Sequence, residues 1–246
     1  MKVSNKMKAL SLAVLGLTGM AFGSSAFAAC PTDPAQPNGP WSSKSTVFGA
    51  IAISANGFNG TSCKLDTQIT NAAPGGTAFV RDNSPASEPR YRARFFVNAD
   101  AVALNSLSGQ AVRIFTANTE TPYQNIGETI RLSLIGNTNG TAKFLTVAMG
   151  CDGVPGNICS KNIPLAAGTN KIQIDWVKNA NATVKIWVNS DTEGAPTDTL
   201  AGNTNGWVVD YAAMGLFNPT AGYRSAHLNK IISFDEFDSR RSTFIN

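Results

Sequence analysis

The chain has 246 residues with 20 basic and 16 acidic side chains, which give a formal net charge of +4. Three of the basic residues and none of the acidic ones lie in the first 28 positions, so the remaining chain carries 17 basic against 16 acidic residues. A nearly neutral chain without a run of Lys or Arg is poorly suited to neutralise a phosphate backbone. We therefore expect no nucleic-acid partner.

The amino terminus has the pattern of a secretory signal peptide. Lys2, Lys6 and Lys8 precede an uncharged apolar run over residues 9–22, and small residues follow as far as Ala28. This run is shorter than the roughly 20 residues that a transmembrane helix needs, and no later apolar segment is long enough. We expect cleavage near Ala28 and an exported protein, extracellular or periplasmic, without a membrane span.

The rest of the chain is expected to form one domain. About 218 residues remain after cleavage, a length that single β-sandwiches reach. Residues 29–40 contain four prolines and predict an irregular lead-in, whereas residues 41–246 show no linker and no repeat at a fixed period. We assign residues 1–28 to the signal peptide, 29–40 to the lead-in and 41–246 to the domain.

Four cysteines follow the predicted cleavage site: Cys30, Cys63, Cys151 and Cys159. An even number in an exported chain favours disulfides. Three pairings are possible, and the Gly- and Pro-containing loop between Cys151 and Cys159 favours a local pair, with Cys30 joined to Cys63. The alternative is lipidation of Cys30, because Phe27-Ala28-Ala29-Cys30 resembles a lipoprotein box, although Phe replaces the usual Leu.

Apolar and polar residues alternate along several segments, which is typical of half-buried strands. The inward-facing residues predicted in three of these segments are Tyr91, Ala93, Phe95 and Val97, then Ile172, Ile174 and Trp176, then Val184, Ile186 and Val188. Gly- and Asn-rich turn signals separate such segments at intervals suited to an antiparallel sheet. The sequence therefore predicts an all-β sandwich.

Several motifs in order resemble the concanavalin A-like, laminin-G-like jelly-roll domains of secreted bacterial proteins. The motifs are Ala78-Phe-Val-Arg-Asp-Asn83, Tyr91-Arg-Ala-Arg-Phe95, Ile172-Gln-Ile-Asp-Trp176 and the ending Ile232-Ser-Phe-Asp-Glu-Phe-Asp-Ser-Arg-Arg-Ser-Thr-Phe-Ile245. The resemblance runs from about Trp41 to Asn246. It implies a single antiparallel jelly-roll β-sandwich, a fold that carries lectins, polysaccharide-cleaving enzymes and structural modules alike.

Candidate catalytic residues are few. A Ser-His-Asp triad would have to use the one histidine, His227, but the sequence has no Gly-x-Ser-x-Gly motif for the nucleophile. His227 is therefore expected to be structural. Glu236 and Asp238 stand two apart and are the one plausible carboxylate pair for a glycosidase, but a bulge between Phe234 and Phe237 and nearby arginines favour a structural role. Polysaccharide lyases of similar fold use Arg, Gln, His and Tyr groups, and the chain has no Gln-x-His segment. We predict no catalytic residue.

A glycan site needs an aromatic platform with polar groups beside it. Strand parity places one tryptophan and several polar residues opposite the predicted core, and the residues we predict to bind ligand are Arg92, Arg94, Arg131, Gln173, Asp175, Lys185 and Trp187. The alternative is that Trp187 fills a cross-strand packing position beside Arg or Lys stems.

We therefore expect an exported, non-catalytic carbohydrate-binding or adhesive module at the bacterial surface or matrix, whose partner is a glycan or another surface component. No cofactor and no metal is predicted, because no loop shows a convincing calcium-ligand spacing. Two alternatives stay open: an extracellular glycosidase or lyase that degrades polysaccharide, and a structural module that binds another protein.

Overall fold

A computed structural model describes residues 30–35 and 41–245. The predicted signal peptide and residues 36–40 of the lead-in lie outside these ranges. Within them, the strands form two antiparallel seven-stranded sheets. In spatial order, sheet A consists of β1 (Ser43–Ser45), β4 (Ala78–Asp82), β13 (Tyr211–Phe217), β6 (Ala111–Tyr123), β7 (Ile126–Gly136), β8 (Lys143–Gly150) and β9 (Ile158–Leu165). Sheet B consists of β12 (Asp198–Gly202), β11 (Ala182–Val188), β10 (Thr169–Val177), β5 (Arg90–Asn98), β14 (Ile232–Arg240), β3 (Cys63–Ile69) and β2 (Gly49–Ala55).

The helical content of the described chain is small. One α-helix, α1 (Ala221–Ala226), follows β13, and two single 3₁₀ turns occupy Phe58–Gly60 and Pro155–Asn157. The Thr220 hydroxyl accepts a hydrogen bond from the Tyr223 amide and caps the start of α1. None of the helices in the described residues has the length and apolarity to cross a bilayer. The predicted all-β sandwich is confirmed.

The core lies between the two sheets and is built by alternation along the strands. Tyr91, Ala93, Phe95 and Val97 are all buried, as the sequence predicts for β5. The two sheets meet through aromatic contacts, such as the stacked rings of Phe95 and Phe115, whose centroids lie 5.5 Å apart. Each such side chain removes a large apolar area from water, which is the main favourable term in folding.

Two disulfides cross-link the described chain, in the pairing predicted from the sequence. Cys30 is bonded to Cys63 at the start of β3, and Cys151 is bonded to Cys159 in β9. The bond to Cys63 leaves no thiol at Cys30 for a thioether-linked lipid. Because disulfides persist in oxidising compartments, both pairs agree with an exported protein.

Strand β14 lies in the middle of sheet B and contains the predicted bulge. It pairs with β5 on one side and β3 on the other, and its register to β5 shifts between Asp235 and Asp238. Glu236 has a φ of 49°, in the left-handed region that non-glycine residues rarely adopt. The bulge adds a residue to β14 at this point, so simple alternation of inward and outward side chains does not hold there.

Candidate functional site

Six of the seven predicted ligand-binding residues lie together on the outer face of sheet B. In the ladder between β5 and β10, Arg94 lies opposite Gln173 and Arg92 opposite Asp175. In the ladder between β10 and β11, Gln173 lies opposite Trp187 and Asp175 opposite Lys185. The strand parity read from the sequence therefore placed these six side chains on a common face.

This face is covered by the carboxyl-terminal segment of the described chain and by a loop. Trp187 is 0% exposed, its indole N–H donates to the Thr192 carbonyl at 2.9 Å, and its ring packs edge-on against Phe244 at 5.2 Å. Gln173 is also buried, and its amide, oriented to satisfy both groups, pairs with the main-chain N–H and C=O of Ile245 at 3.2 and 2.9 Å. Trp187 thus has the packing role that was the alternative, and offers no ring for sugar stacking.

Ion pairs link four of the charged side chains on this face. Asp175 accepts hydrogen bonds from Arg92 at 2.8 Å and from Arg90 at 2.7 Å, and Arg92 also pairs with Glu193 at 2.8 Å. Arg92 and Asp175 are nearly fully buried. A buried ion pair of this kind is stabilised by its own hydrogen bonds, and removing one partner would leave an uncompensated charge.

Arg131 does not join the other six residues. It lies on β7 in sheet A, where its guanidinium pairs with Glu128 at 3.1 Å. The sequence indicates which side chains of a strand face inward and which face outward. It does not indicate which sheet the strand joins, because that depends on pairing between distant segments. The expectation of one seven-residue site is therefore corrected at Arg131.

The two candidate acids of β14 are both engaged in ion pairs. Glu236 lies 3.8 Å from Arg94, and Asp238 lies 2.8 Å from Arg240. Each acid is therefore already paired with an arginine, which favours a structural role over the acid pair of a retaining glycosidase. Their structural interpretation agrees with this arrangement.

His227 is packed at the end of α1, as expected for a structural histidine. It is 7% exposed, and its Nε2 lies 3.0 Å from Oε1 of Gln110. Burial, together with the charge of Lys230, lowers the pKa of its imidazole below the usual 6.5. A neutral ring that bonds to Gln110 holds α1 against the start of β6.

The outer face of sheet A has an open groove, which we call the sheet A groove. Its volume is about 250 Å³. It is lined by Thr77, Phe79, Arg81, Thr116, Asn118, Glu128, Tyr211, Ala213, Phe217 and Asn218. These residues come from β4, β13, β6 and β7 or the turns beside them, strands that neighbour one another in the sheet.

The floor of the groove is formed by short side chains at the centre of the sheet. Ala213 on β13 lies opposite Arg81 on β4 and opposite Thr116 on β6. Ala213 and Thr116 are almost fully buried. One step along the same face, Tyr211 lies opposite Asn118. A narrow row of small residues between larger ones produces the depression.

One wall of the groove is aromatic and cationic. The guanidinium carbon of Arg81 lies 3.6 Å from the centre of the Tyr211 ring, a cation–π contact that fixes both side chains. Arg81 Nε donates to Asn83 at 2.6 Å, and one terminal nitrogen of the guanidinium lies 3.9 Å from the Glu120 carboxylate. Further along, Phe79 and Phe217 stack at 4.4 Å. This wall thus places the Arg81 guanidinium next to the Tyr211 ring.

The opposite wall is polar. Glu128 is held between Arg113 and Arg131, and Asn118 Nδ2 donates to the Thr116 hydroxyl at 2.8 Å. Burial and the charge of Arg131 lower the pKa of Arg113, while Glu128 acts in the opposite direction. Two guanidinium groups against one carboxylate leave this wall with a net positive charge.

Tyr211 is positioned by its neighbour Asp210, which ties three chain segments together. Asp210 accepts from the amides of Ser87 and Glu120, each at 2.8 Å, and from the Thr119 hydroxyl at 3.1 Å. Burial raises the pKa of Asp210, but these hydrogen bonds outweigh it and hold the pKa below the ordinary value. The mouth of the groove is therefore fixed where β13 begins.

Sequence reasoning missed this groove, although part of its signal was readable. The expected lyase groups were Arg, Gln, His and Tyr; the described lining contains Arg81 and Tyr211 but neither Gln nor His. Thr116 and Asn118 stand two apart on β6, the spacing of a Gln-x-His segment with different side chains. Within the described residues, no cluster of His, Cys, Asp or Glu is arranged to hold a metal ion.

The sequence matches no protein-family model and has no significant match among curated proteins. Among solved structures, the chain is similar to an endo-β-1,4-glucuronan lyase from the fungus Trichoderma reesei, with a TM-score of 0.58 and 13% identity over 82% of this chain and 92% of that one. It is also similar to the alginate lyase from Klebsiella pneumoniae, with a TM-score of 0.52 and 11% identity over 80% and 86% of the two chains. For alginate lyase Aly36B the TM-score is 0.53, with 13% identity over 74% and 82%. At these identities the similarity shows the fold, a jelly-roll β-sandwich.

Proposed function

We propose that this protein is an exported lyase that cleaves an acidic, uronate-containing polysaccharide in the sheet A groove. The observation that carries the proposal is the convergence of Arg81, Tyr211 and Asn118 at one end of an open groove. The jelly-roll fold shared with glucuronan and alginate lyases supports the substrate class. This enzymatic alternative accounts for the geometry better than a binding face on sheet B.

The reaction is a β-elimination. A base removes the proton on C5 of the uronate, the C4–O bond to the leaving sugar breaks, and a C4–C5 double bond forms. The leaving oxygen takes up a proton, so that protons balance. Negative charge develops on the uronate carboxylate as C5 loses its proton, and fixed cations or N–H donors beside that carboxylate stabilise the transition state.

The groove contains side chains suited to each requirement. The guanidinium of Arg81 and the amide of Asn118 supply N–H donors for the carboxylate, and the net positive charge of the opposite wall attracts a polyanion. Glu128 is engaged by Arg113 and Arg131, which leaves Tyr211 as the proton carrier in the described lining. Its hydroxyl would give its proton to the leaving oxygen while its oxygen takes up the C5 proton, which returns Tyr211 to the phenol.

A second candidate is a protein that binds the same polysaccharide without cleaving it. The observation that favours it is the occupation of the strand β6 positions by Thr116 and Asn118, since neither side chain is a proton carrier at neutral pH. Binding then uses the same groove, its cationic walls and the Arg81 donors, while turnover is absent.

The test is incubation of the purified protein with glucuronan and alginate, with cellulose as a neutral comparison, followed by the ultraviolet absorbance of unsaturated uronate ends. We expect absorbance to rise with the acidic polymers and not with cellulose. Tyr211→Phe keeps the ring against Arg81 and removes the hydroxyl, so kcat/KM should fall by roughly 10²–10⁴-fold. Tyr123→Phe, on an exposed tyrosine of the β6–β7 hairpin, is the matched control and should retain activity.

Binding to the same polymers, measured by affinity electrophoresis, separates the two candidates. Retardation that Arg81→Ala abolishes, without any unsaturated product, would favour the binding protein over the lyase. Turnover that survives Tyr211→Phe undiminished would contradict the proton-transfer role. An absence of both turnover and binding with every acidic polymer would overturn the groove as a uronate site.

A further inference from the structure

The four edges of the two sheets differ in how they are protected against pairing with another strand. An unprotected edge offers a row of unpaired N–H and C=O groups to any incoming strand. Strand β9 carries Lys161 and Pro164, and β12 carries Asp198, which pairs with Lys161 at 2.6 Å. Strand β1 is only three residues long and contains Lys44. Charges, proline and short length protect these three edges.

Strand β2 has none of these devices. It is seven residues long, Gly-Ala-Ile-Ala-Ile-Ser-Ala, with no charge and no proline, and within residues 30–35 and 41–245 no strand pairs with its other side. The nearest acid on β3, Asp66, is satisfied internally by the hydroxyls of Ser54 and Ser233 at 2.5 Å each. An incoming strand therefore meets no repelling charge along the edge itself.

Exposed apolar side chains surround this edge. Val47 and Phe48, immediately before β2, are 51% and 43% exposed, and Ile231 is 44% exposed. Ile231 lines a shallow hollow of about 100 Å³ together with Ala50 and Ala52. Large exposed apolar residues gathered beside an unprotected edge are typical of an interaction surface.

The order of side chains along β2 identifies the partner. From Ala50 to Ser54 the strand reads small, Ile, small, Ile, small, a pattern that is the same in both directions about Ala52. In an antiparallel pair centred on Ala52, Ile51 of one copy lies opposite Ile53 of the other, and Ala50 lies opposite Ser54. Such self-complementarity is what a twofold interface requires.

We propose that β2 pairs antiparallel with β2 of a second copy of this chain, so that the two B sheets join into one continuous sheet across a twofold axis at Ala52. The groove lies on the outer face of sheet A, whereas the proposed pairing edge belongs to sheet B. The inference is independent of the proposed lyase activity, and one can fail without the other.

The experiment is the solution mass of the full exported chain over a range of concentrations, measured by sedimentation equilibrium. We expect a dimer for the unmodified protein. Ala52 is exposed, and in the proposed pair the two copies of this residue lie opposite each other, about 4.5–5.5 Å apart between side-chain β-carbons. Ala52→Lys and Ala52→Glu should therefore each weaken the dimer by roughly tenfold or more, because like charges are juxtaposed.

Mixing the Lys and Glu variants should restore a dimer, since opposite charges then meet. Ala201→Lys on the edge strand β12 is the matched control: it places the same charge on an exposed alanine of the same sheet and should leave the dimer intact. Circular dichroism and the melting temperature check that each variant is folded. A monomer at every concentration, a dimer unaffected by Ala52→Lys, or no recovery on mixing would overturn the proposal.

Discussion

Asp210 shows how a single residue next to the groove controls geometry without belonging to the groove lining. Its carboxylate accepts from two backbone amides and two hydroxyls on segments that precede β5 and follow the central part of β6. Carboxylates with several such partners favour their charged form. The side chain thus fixes the start of β13, where Tyr211 begins the groove wall.

We expect Asp210→Asn to lower the free energy of unfolding by about 1–2 kcal/mol at neutral pH. Both oxygens of the carboxylate accept hydrogen bonds, whereas an asparagine side chain has one oxygen that accepts. Its NH2 group would face donors that have lost their acceptor. The pKa of Asp210 is lower in the folded state than its ordinary 3.8. Its stabilisation is therefore fully present above pH ~4 and is lost as the pH falls through the folded pKa. Urea titrations at several pH values measure this difference.

The difference between Asp210→Asn and the unmodified protein should accordingly shrink in acid. Asp152→Asn is the comparison, because Asp152 accepts one side-chain hydrogen bond, from the exposed Gln124. A gap that stays constant from neutral pH to strongly acidic pH would contradict the role given to the carboxylate.

The alternation of inward and outward side chains is the feature of the strands that the sequence predicted best. Alternation in β5, β10 and β11 correctly separated the buried Ile172, Ile174 and Trp176 from the opposite face. The alternation does not show which segment of the chain covers the outer face of sheet B. Trp187 and Gln173 looked available because the segment that packs on them, around Phe244, lies far along the chain and has no local signal of its own.

At the scale of elements, the segment after β14 acts as a cover for sheet B. Phe244 packs on Trp187, Ile245 is 0% exposed, and the Phe244 carbonyl accepts from Arg240 at 3.1 Å. The aromatic contact and the main-chain pairing with Gln173 hold a short irregular stretch in place. The segment therefore stabilises the fold by burying apolar side chains on the outer face of sheet B.

We expect Ile245→Ala to lower the free energy of unfolding by about 2–4 kcal/mol, since truncating a buried isoleucine removes apolar contacts and leaves a cavity. Thr243→Ala, at an exposed position of the same segment, should change it by less than about 0.5 kcal/mol. Urea unfolding followed by circular dichroism measures both. Equal effects for the two variants would mean that the segment does not pack on sheet B in solution.

The order of elements explains why the groove escaped prediction. Its lining comes from β4, the β6–β7 hairpin and β13, which are neighbours in space but are separated along the chain by strands of sheet B. Arg81 and Tyr211 become neighbours only because β13 inserts between β4 and β6. Such long-range pairing is set by the packing of the whole sandwich, and no local pattern encodes it.

For the whole molecule, the two disulfides are expected to contribute unequally. Cys30 and Cys63 are 33 positions apart, whereas Cys151 and Cys159 are 8 apart. In the chain-entropy description, loops of these lengths correspond to about 4 and about 2.5 kcal/mol of stabilisation through the unfolded state. Replacing both cysteines of the first pair with serine should therefore destabilise the protein more than the same change in the second pair.

Guanidinium unfolding of the two double-serine variants compares these contributions directly. The readout is the decrease in the denaturant concentration at which half of the protein is unfolded. The reverse order would show that strain or residual structure in the unfolded chain outweighs loop length. Peptide mapping without reduction accompanies the measurement, because a reshuffled pair would make the comparison meaningless.

The central position of β14 in sheet B has a consequence for biosynthesis. Strands β5 and β3 have no direct pairing with each other and are joined only through Ile232–Arg240, the last strand of the described chain to leave the ribosome. Without this strand, β5 and β3 have no partner that connects them, so sheet B cannot form as one sheet. Topologies dominated by such distant pairings fold slowly. For a chain that is exported, as the amino-terminal residues predict, such a delay would keep the polypeptide open for threading through a translocation channel.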